Sequence, residues 1–377
     1  MRKIAYICSK EQVMYLKRII VENFKNILSA DVVFSPKINC ICGDNGEGKT
    51  NLLDAVYYLS MTKSFLSSSD RYTYAFGTGG AVLHGTYMRD GQTDDIAVAV
   101  HSDGTKTVRR NDKAYRRVSE HIGRYPVVVT SPVDSSLISG SGEERRRFMN
   151  MMISQTDREY LHSLMAYNRL LRQRNSLLKQ GNVPDLLLDT VSGRMYGFSE
   201  YVHGRRSVAA AMLDERAASF YRLISGGRET VAVRYVSEID KEGGTEALFA
   251  SCLQKDRLMG YTTVGLQRDD LEFLMDGHSL RRCSSQGQQK SFIIALKMAQ
   301  YSVMCGIRSM KPILLFDDLF DKLDATRVEA LVRMVLQEDF GQIFITDTDS
   351  SRLRGIVDGI TDQGKFFNVC KGQVRSN

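Results

Sequence analysis

The chain has 377 residues, of which 43% are hydrophobic and 25% charged, and its formal net charge is +7 at pH 7. This composition excludes a disordered chain and allows one large core or two smaller ones. No apolar run approaches the roughly 18 residues that span a bilayer, and no signal-peptide pattern opens the sequence, so we expect a cytoplasmic protein with no membrane partner. The excess of basic residues fits a polyanionic partner.

Strand patterns dominate the N-terminal part of the chain. Apolar or alternating runs, separated by Gly, Asp and Asn turns, predict strands at residues 16–21, 32–34, 38–42, 81–88, 96–100, 105–109 and 127–129. We therefore expect a β-rich subdomain. Residues 1–13 precede the first strand, which starts near Met14, and they are interpreted as a candidate extension from an upstream start.

A phosphate-binding loop follows the third predicted strand. Residues 43–50 read Gly-Asp-Asn-Gly-Glu-Gly-Lys-Thr, a complete G-x-x-x-x-G-K-[ST] pattern that leads into an apolar helical repeat. The glycines let backbone N–H groups surround phosphates, Lys49 can neutralise the β and γ oxygens, and the Thr50 hydroxyl can bind Mg²⁺. The loop predicts binding of a nucleoside triphosphate by Gly43, Asp44, Asn45, Gly46, Glu47, Gly48, Lys49, Thr50 and Asn51.

Helical patterns take over from Glu143. Residues 160–179 predict a helix with one apolar face, made by Leu161, Leu164, Met165, Leu171 and Leu178. Pro184 opens a second helix to about Leu223, and Gly226-Gly227 ends it. A strand at residues 231–235 and mixed α/β patterns follow.

Two later segments can complete a nucleotide site. The apolar run 312–316 ends in Asp317-Asp318, which predicts a buried strand that delivers Asp317 to Mg²⁺ and Asp318 to an attacking water. Lys49 and Asp318 are thus the candidate catalytic residues, although a capped turn would also explain the two aspartates. Residues 283–291 place small residues at a helix start, where Ser285, Gly287 and Gln288 form a second candidate phosphate site or an ordinary serine cap.

The two parts of the site are far apart in sequence, with the helical stretch between them. This order predicts an α/β fold in which one nucleotide-binding domain is interrupted by an inserted helical lobe. The expected boundaries are 14–140 for the first half of the domain, 141–228 for the helical lobe and 229–377 for the second half.

The order of these motifs resembles the ABC-type ATPases of DNA repair and chromosome maintenance, and within them the RecF family. The chain has the motifs of these proteins in the same order: the phosphate loop, the Ser-Gln-Gly-Gln signature, the acidic strand and Leu323-Asp324. Further matching segments lie at 23–26, 63–65, 131–134, 145–148 and 268–270. The resemblance covers nearly the whole chain from Met14. It implies an ABC-type ATPase head, a P-loop NTPase similar to SMC heads, with a compact helical lobe in place of their long coiled coil.

The resemblance also implies how such a protein works. Two heads dimerise around ATP and Mg²⁺, Ser285 and Gly287 contact the γ-phosphate in the other subunit, and Asp324 belongs to the loop that crosses the interface. The family binds single-stranded or gapped DNA, works with RecR and RecO to load RecA, and serves DNA replication, recombinational repair and the SOS response. A nucleoid-associated, cytoplasmic protein is implied.

Some positions depart from the family pattern. Residues 344–349 contain no histidine that could sense the γ-phosphate, and Leu66 replaces a usual arginine. Slow hydrolysis is therefore expected, and a nucleotide-gated DNA-binding scaffold without significant hydrolysis stays open. The nucleotide-binding subunit of an ABC transporter is a further alternative, disfavoured by the long interval between loop and signature.

Arginines of the helical stretch are candidates for DNA contact. The sequence clusters them at residues 145–147, at Arg172 and Arg174, and at Arg205-Arg206. Solvated or ion-paired arginines are the competing interpretation for each cluster.

Overall fold

The computed structural model describes residues 14–67, 69–181, 183–318, 340–359 and 363–376. The candidate extension 1–13 and Asp324 lie outside these ranges. The chain divides into two compact units. The first comprises the residues up to Asp134, Leu223–Gly226 and the residues from Lys297 onward; the second comprises Ser135–Arg222 and Gly227–Leu296. The domain boundaries expected from the sequence stay a prediction.

The described strands, in chain order, are β1 (Met14–Phe24), β2 (Ile27–Val33), β3 (Ile38–Cys42), β4 (Gly80–Arg89), β5 (Gln92–His101), β6 (Lys106–Arg110), β7 (Lys113–Ala114), β8 (Val127–Thr130), β9 (Val231–Val236), β10 (Asp270–Met275), β11 (His278–Ser279), β12 (Ile313–Phe316), β13 (Ile343–Asp347), β14 (Gly364–Cys370) and β15 (Gln373–Ser376). Each strand predicted in the N-terminal part is present. The segment 32–34 is only the end of β2, which begins at Ile27, and β8 lies in a different sheet from the β-rich subdomain.

The described helices are α1 (Lys49–Met61), α2 (Ser136–Ser139), α3 (Gly142–Thr156), α4 (Arg158–Lys179), α5 (Asp185–Ser225), α6 (Ile239–Glu242), α7 (Thr245–Ser251), α8 (Leu253–Met259), α9 (Leu280–Cys283), α10 (Gln286–Arg308) and α11 (Ser350–Val357). None of these described helices is both long and apolar enough to cross a bilayer.

The first unit contains two six-stranded sheets. One is antiparallel, in the order β2-β1-β4-β5-β6-β7, and the other has the order β15-β14-β3-β13-β12-β8. In the second sheet β14, β3, β13, β12 and β8 are parallel, and β15 is an antiparallel edge strand. Every residue of β3, β12 and β13 is buried, as expected of parallel strands covered on both faces. Their carboxyl ends meet at one edge, where the motif residues lie.

The apolar core of the first unit fixes this sheet. Phe34 packs edge-to-face against Phe344 of β13 and Phe367 of β14, with ring centroids 4.8 and 5.5 Å apart. Helix α1 buries Leu52, Leu53 and its neighbours in the same cluster. The helix that begins at the phosphate loop is thus held by core packing.

The second unit contains the small antiparallel sheet β11-β10-β9 and helices that include α3 and α4. The apolar face predicted for α4 is wrong in part, since Met165 is 53% exposed and Arg174 is buried. Arg174 donates to Asp256 Oδ2 across 2.6 Å and to Thr262 Oγ1 across 2.7 Å. Because an ion pair and hydrogen bonds satisfy this arginine, the buried face of α4 is not marked by hydrophobicity alone.

Candidate nucleotide-binding site

The phosphate loop connects β3 to α1 through three glycines with positive φ. Gly43, Gly46 and Gly48 have φ angles of 151, 85 and 113°, a region that other residues adopt rarely. A Cβ atom on Gly43 would lie 2.3 Å from the carbonyl oxygen of Val369, so the close approach of β14 also requires glycine there. Gly48 is the N-cap of α1 and has no capping side chain. The first N–H groups of α1 are therefore available to an anion.

Lys49 folds back over the loop. Its ammonium nitrogen donates to the carbonyl oxygens of Gly43, across 2.8 Å, and Asp44, across 3.0 Å. The residue is only 4% exposed, whereas Asp44 and Asn45 are exposed. The positive charge is held within the curl of the loop, in reach of a phosphate that enters from the exposed side.

The loop meets the acidic strand through a direct hydrogen bond. Thr50 Oγ1 donates to Asp317 Oδ1 across 2.8 Å, and Thr346 Oγ1 donates to the same oxygen across 3.0 Å. Burial, and to a smaller extent the Asp318 charge, raise the pKa of Asp317 to about 6, although the Thr50 and Thr346 hydrogen bonds and the Lys49 charge oppose this. Two hydroxyl oxygens beside a buried carboxylate, whose charged form burial disfavours, fit a hard divalent cation such as Mg²⁺.

Asp318 directly follows this buried carboxylate. Its backbone N–H donates to Thr346 Oγ1 across 2.8 Å, and its φ angle of 46° turns the chain out of the strand. Its side chain is partly exposed, in contrast to Asp317. The two carboxylates therefore have different surroundings, one fixed by threonines and the other accessible to water.

Thr346 was not among the residues selected from the sequence. It lies in β13, which runs between β3 and β12, and it is completely buried. Its hydroxyl both donates to Asp317 and accepts from Asp318. The available sequence signal was a hydroxyl residue at the carboxyl end of an otherwise apolar run, Ile343 to Ile345.

A second group of contacts braces the loop from outside. The Asn26 side chain accepts from Asn51 Nδ2 across 2.7 Å and donates to the Glu47 carbonyl oxygen across 3.3 Å. The backbone N–H of Gly372 donates to the same carbonyl across 2.9 Å, and the N–H of Lys371 donates to the Glu47 carboxylate. The hairpin turns β1–β2 and β14–β15 thus both hold the loop. In these contacts Glu47 accepts hydrogen bonds from the Asn26 side chain and from the turn at residues 371–372, and Asn51 donates to Asn26.

The signature segment lies in the second unit at the start of α10. Ser285 accepts the N–H of Gln288 at 3.3 Å, and the Gln288 side chain accepts the N–H of Ser285 at 2.8 Å. This reciprocal pair is a capping box. The Gln288 amide also donates to Glu229 Oε1 across 2.8 Å. Ser285 is exposed, so the helix N-terminus faces solvent with a fixed serine cap.

The prediction of DNA contact is wrong for two of the candidate arginines. Arg174 and Arg206 are 1% and 2% exposed, and each pairs with a buried aspartate, Asp256 and Asp269 respectively. A guanidinium buried in this way cannot reach a phosphate backbone. Further candidates are engaged as well: Arg145 with Asp270 and Arg205 with Asp157. Arg147 and Arg172 are exposed and remain candidates.

The fold and the site together define the class of protein. A glycine loop that opens a helix after a buried parallel strand, with its threonine bonded to an aspartate of a neighbouring strand, is the nucleotide site of a P-loop NTPase. The SMC head of Pyrococcus furiosus, solved with a bound ScpA domain, has a TM-score of 0.57 at 15% identity, over 97% of this chain and 96% of that one. The fold is therefore that of an ABC-type ATPase head.

Sequence comparison identifies the family. Residues 15–358 match the model described as the RecF/RecN/SMC N terminal domain. DNA replication and repair protein RecF of Parabacteroides distasonis is 40% identical over 362 residues, 96% of this chain and 99% of that protein. Its counterpart in Phocaeicola vulgatus is 42% identical over 364 residues, with 96% and 98% covered. The chain belongs to the RecF family of DNA replication and repair proteins.

A solved member of the family has the same fold. The recombination mediator protein RecF, determined with ATP and described as part of the RecFOR pathway, has a TM-score of 0.88 at 28% identity, over 98% of this chain and 99% of that chain. A second structure of that mediator has a TM-score of 0.86 at 27% identity.

Proposed function

We propose that this protein is an ATP-dependent DNA clamp: ATP and Mg²⁺ bind at the phosphate loop, the bound nucleotide closes a homodimer on gapped or single-stranded DNA, and slow hydrolysis reopens it. The observation that carries the proposal is the joint placement of Lys49 in the loop and of Asp317 against Thr50. The relative solved with ATP supports it.

Each residue of the site has a distinct role in this proposal. The loop N–H groups of residues 43–50 and the Lys49 ammonium bind the β- and γ-phosphates, and Thr50 with Asp317 holds Mg²⁺, which neutralises charge on the phosphate oxygens when bound. Asp318 orients or deprotonates the attacking water. Thr346 fixes both aspartates, because it is hydrogen-bonded to each.

The signature segment supplies the nucleotide dependence of dimerisation. Ser285, Gly287 and Gln288 lie at the exposed N-terminus of α10, where the helix dipole favours an anion. We propose that this end binds the γ-phosphate held by the partner subunit. On the basis of the family resemblance, we propose that Asp324 belongs to the loop that crosses the dimer interface.

The basis for slow turnover is the segment 344–349, which covers the carboxyl end of β13 and the two residues after it. It contains no histidine, and Asp347 is held by Arg352 through hydrogen bonds of 2.7 and 3.0 Å. No side chain resembling a γ-phosphate sensor is therefore present in residues 344–349. This observation also favours the second candidate, a nucleotide-gated scaffold that binds DNA with ATP and hydrolyses none.

The physiological setting follows from the family. We propose that RecR and RecO bind the closed dimer and that RecA is loaded at the gap. The RecFOR pathway named for the solved relative supports this assignment.

Sedimentation with DNA tests the proposal. Wild-type protein and Lys49→Ala are centrifuged with gapped, single-stranded and duplex DNA, with ATP, without ATP and with a non-hydrolysable analogue. ATP should raise the affinity of the wild type for gapped DNA by tenfold or more, and Lys49→Ala should lose this gain. Equal DNA binding with and without ATP contradicts the clamp. Release that follows ATP, but not the analogue, distinguishes the clamp from the scaffold.

A further inference from the structure

A cleft of about 540 Å³ opens beside β10 in the second unit. Its lining consists of five successive strand residues, 270–274, and of Ile138, Arg145, Ser279, Arg281 and Arg282. Neighbouring side chains of a strand point to opposite faces of its sheet. A cleft that touches five in succession therefore runs along the edge of the strand and reaches its backbone.

This edge of β10 is largely unpaired. On one side β9 pairs with all six residues of β10, but on the other side β11 pairs only with Leu274 and Met275. Among the described residues, 270–273 thus have no strand neighbour on the β11 side. Four residues extend over about 13 Å. Backbone groups of a strand alternate between its two sides, so Leu271 and Phe273 face this edge. The Leu271 N–H is bonded to Asp270, which leaves the Leu271 carbonyl and the N–H and carbonyl of Phe273 as a short template for an added strand.

The end of the open edge is closed by an ion pair. Arg145 binds both carboxylate oxygens of Asp270, at 2.7 and 2.8 Å, and also donates to the carbonyl oxygens of Leu137 and Gly140. Asp270 in turn accepts the N–H of Leu271. These contacts fix the wall formed by α2 and α3, and they neutralise the charges of Arg145 and Asp270 against each other.

The remaining charges of the cleft are net positive. Arg281 and Arg282 are exposed, and neither makes an ion pair within the part of the chain that the structure describes. Glu272 is the one opposing charge among the other lining residues. The side chains of Ile138 and Phe273 add buried apolar surface. An extended segment with acidic and apolar side chains in alternation complements this lining.

We propose that the open edge of β10 binds an acidic, extended peptide segment of a partner protein as an additional β-strand. Backbone hydrogen bonds to the Leu271 carbonyl and to the N–H and carbonyl of Phe273 supply affinity, and Arg281 and Arg282 select acidic side chains. This is strand addition at an exposed sheet edge, in which the backbone gives strength and alternate side chains give specificity.

Fluorescence anisotropy tests the proposal with a defined probe. The probe is fluorescein-labelled Val-Glu-Val-Glu-Val-Glu, and the comparison peptides are Val-Lys-Val-Lys-Val-Lys and the acidic peptide N-methylated at alternate backbone nitrogens. We expect the acidic peptide to bind and each comparison peptide to bind at least tenfold more weakly. Equal binding of the N-methylated peptide would show a merely ionic contact and overturn strand addition.

Variants locate the binding. Arg281→Ala/Arg282→Ala should lower the affinity for the acidic peptide at least tenfold. Glu272→Gln should raise that affinity about threefold, a gain that misfolding cannot produce. Arg194→Ala, at an exposed arginine elsewhere in the second unit, should bind as the wild type does. Hydrogen exchange at residues 270–273 should slow when the peptide binds.

Three results would each reject the proposal: absence of peptide binding, unchanged exchange at residues 270–273, or displacement of the peptide by an equimolar dT₁₀ oligonucleotide. A dimer that forms without ATP and is lost in Arg281→Ala/Arg282→Ala would assign the edge to a second copy of the chain instead.

Discussion

Thr50 donates a hydrogen bond to Asp317 across 2.8 Å, although the two residues are 267 positions apart in the sequence. Thr50 belongs to α1, which begins at Lys49 within the phosphate loop, and Asp317 follows β12. Strand β13 lies between β3 and β12 in the sheet, and its Thr346 contacts the same carboxylate oxygen. Because different residues bind phosphate and position the carboxylates, substitutions can separate nucleotide binding from hydrolysis.

Asp318→Asn should stop hydrolysis and leave ATP binding intact. Asn tolerates the positive φ of this position as well as Asp does, so the backbone is preserved while the carboxylate is lost. We expect the hydrolysis rate to fall by about 10²–10⁴-fold and the ATP-closed dimer to persist on DNA. Phosphate release and filter binding measure the two effects. Wild-type turnover in this variant would remove Asp318 from catalysis.

Thr346→Val should lower turnover by about tenfold, because it removes the hydrogen bond to Asp317 and leaves the Asp318 N–H unpaired. Thr346→Ser keeps the hydroxyl and should retain most activity. ATP affinity, measured with a fluorescent analogue, should change much less than turnover. If valine and serine variants behave alike, Thr346 does not position the aspartates through its hydroxyl.

Ser285→Arg should bind ATP normally and fail to dimerise, because the bulky cation fills the exposed start of α10. The matched control is Ser176→Arg, which adds the same side chain at an exposed position of α4. Light scattering after size exclusion, with and without ATP, measures the mass. ATP-dependent dimers of Ser285→Arg would contradict a signature that binds nucleotide across subunits.

Asn26→Ala should weaken ATP binding about five- to tenfold. The substitution removes the hydrogen bonds to Asn51 and to the Glu47 carbonyl, and each such bond contributes about 1 kcal/mol. Isothermal titration gives the affinity. Asn26→Asp retains the acceptor for Asn51 and should lie between alanine and wild type. An unchanged affinity in the alanine variant would show that the loop keeps its shape without this brace.

His121 should make stability depend on pH. Its Nε2–H donates to the Leu59 carbonyl across 2.7 Å, and Nδ1 has no hydrogen-bond partner among the described residues. Burial lowers the pKa of His121 to about 4 from an ordinary 6.5. The unfolded chain takes up a proton at His121 below pH 6.5, whereas the folded chain resists until about pH 4. The stabilisation is therefore complete above pH 6.5 and is lost as the pH falls, by about 3 kcal/mol.

Urea unfolding between pH 4 and 7.5 measures this dependence. His121→Gln should flatten the profile in this window, and His162→Gln, at an exposed histidine, should keep the wild-type slope. Parallel profiles for His121→Gln and wild type would assign the acid sensitivity to other groups.

The sequence was most informative where backbone conformation and chemistry coincide. The glycines, Lys49 and Thr50 were predicted because their spacing is itself the structure of the loop, and Asp317 because a continuous apolar run marks a buried parallel strand. The brace by Asn26 and residues 371–372 was not predictable in this way. It depends on two hairpin turns that approach the loop, and no local pattern records that approach.

Buried ion pairs account for the main errors. In the sequence Arg174 and Arg206 lie near other arginines, as residues of a basic surface do. In the structure they form buried ion pairs with Asp256 and Asp269 inside the second unit. A prediction from hydrophobic periodicity assigns charged residues to the exposed face of a helix. For this reason the predicted buried face of α4 left out Arg174, which is buried. Thr346 was missed because a lone hydroxyl in an apolar strand has no distinctive spacing.

The position of β3 in its sheet sets an order for biosynthesis. Both neighbours of β3, β13 and β14, are translated long after it, and the turn that braces Glu47 follows 324 positions later. At 5–20 residues per second, the ribosome needs roughly 16–65 s to cover that distance. A nascent chain therefore carries its phosphate-loop sequence without the strands that shape it. A chain that stops before β13 and β14 lacks both strand neighbours of β3 and the turn that holds Glu47, and so lacks the assembled loop.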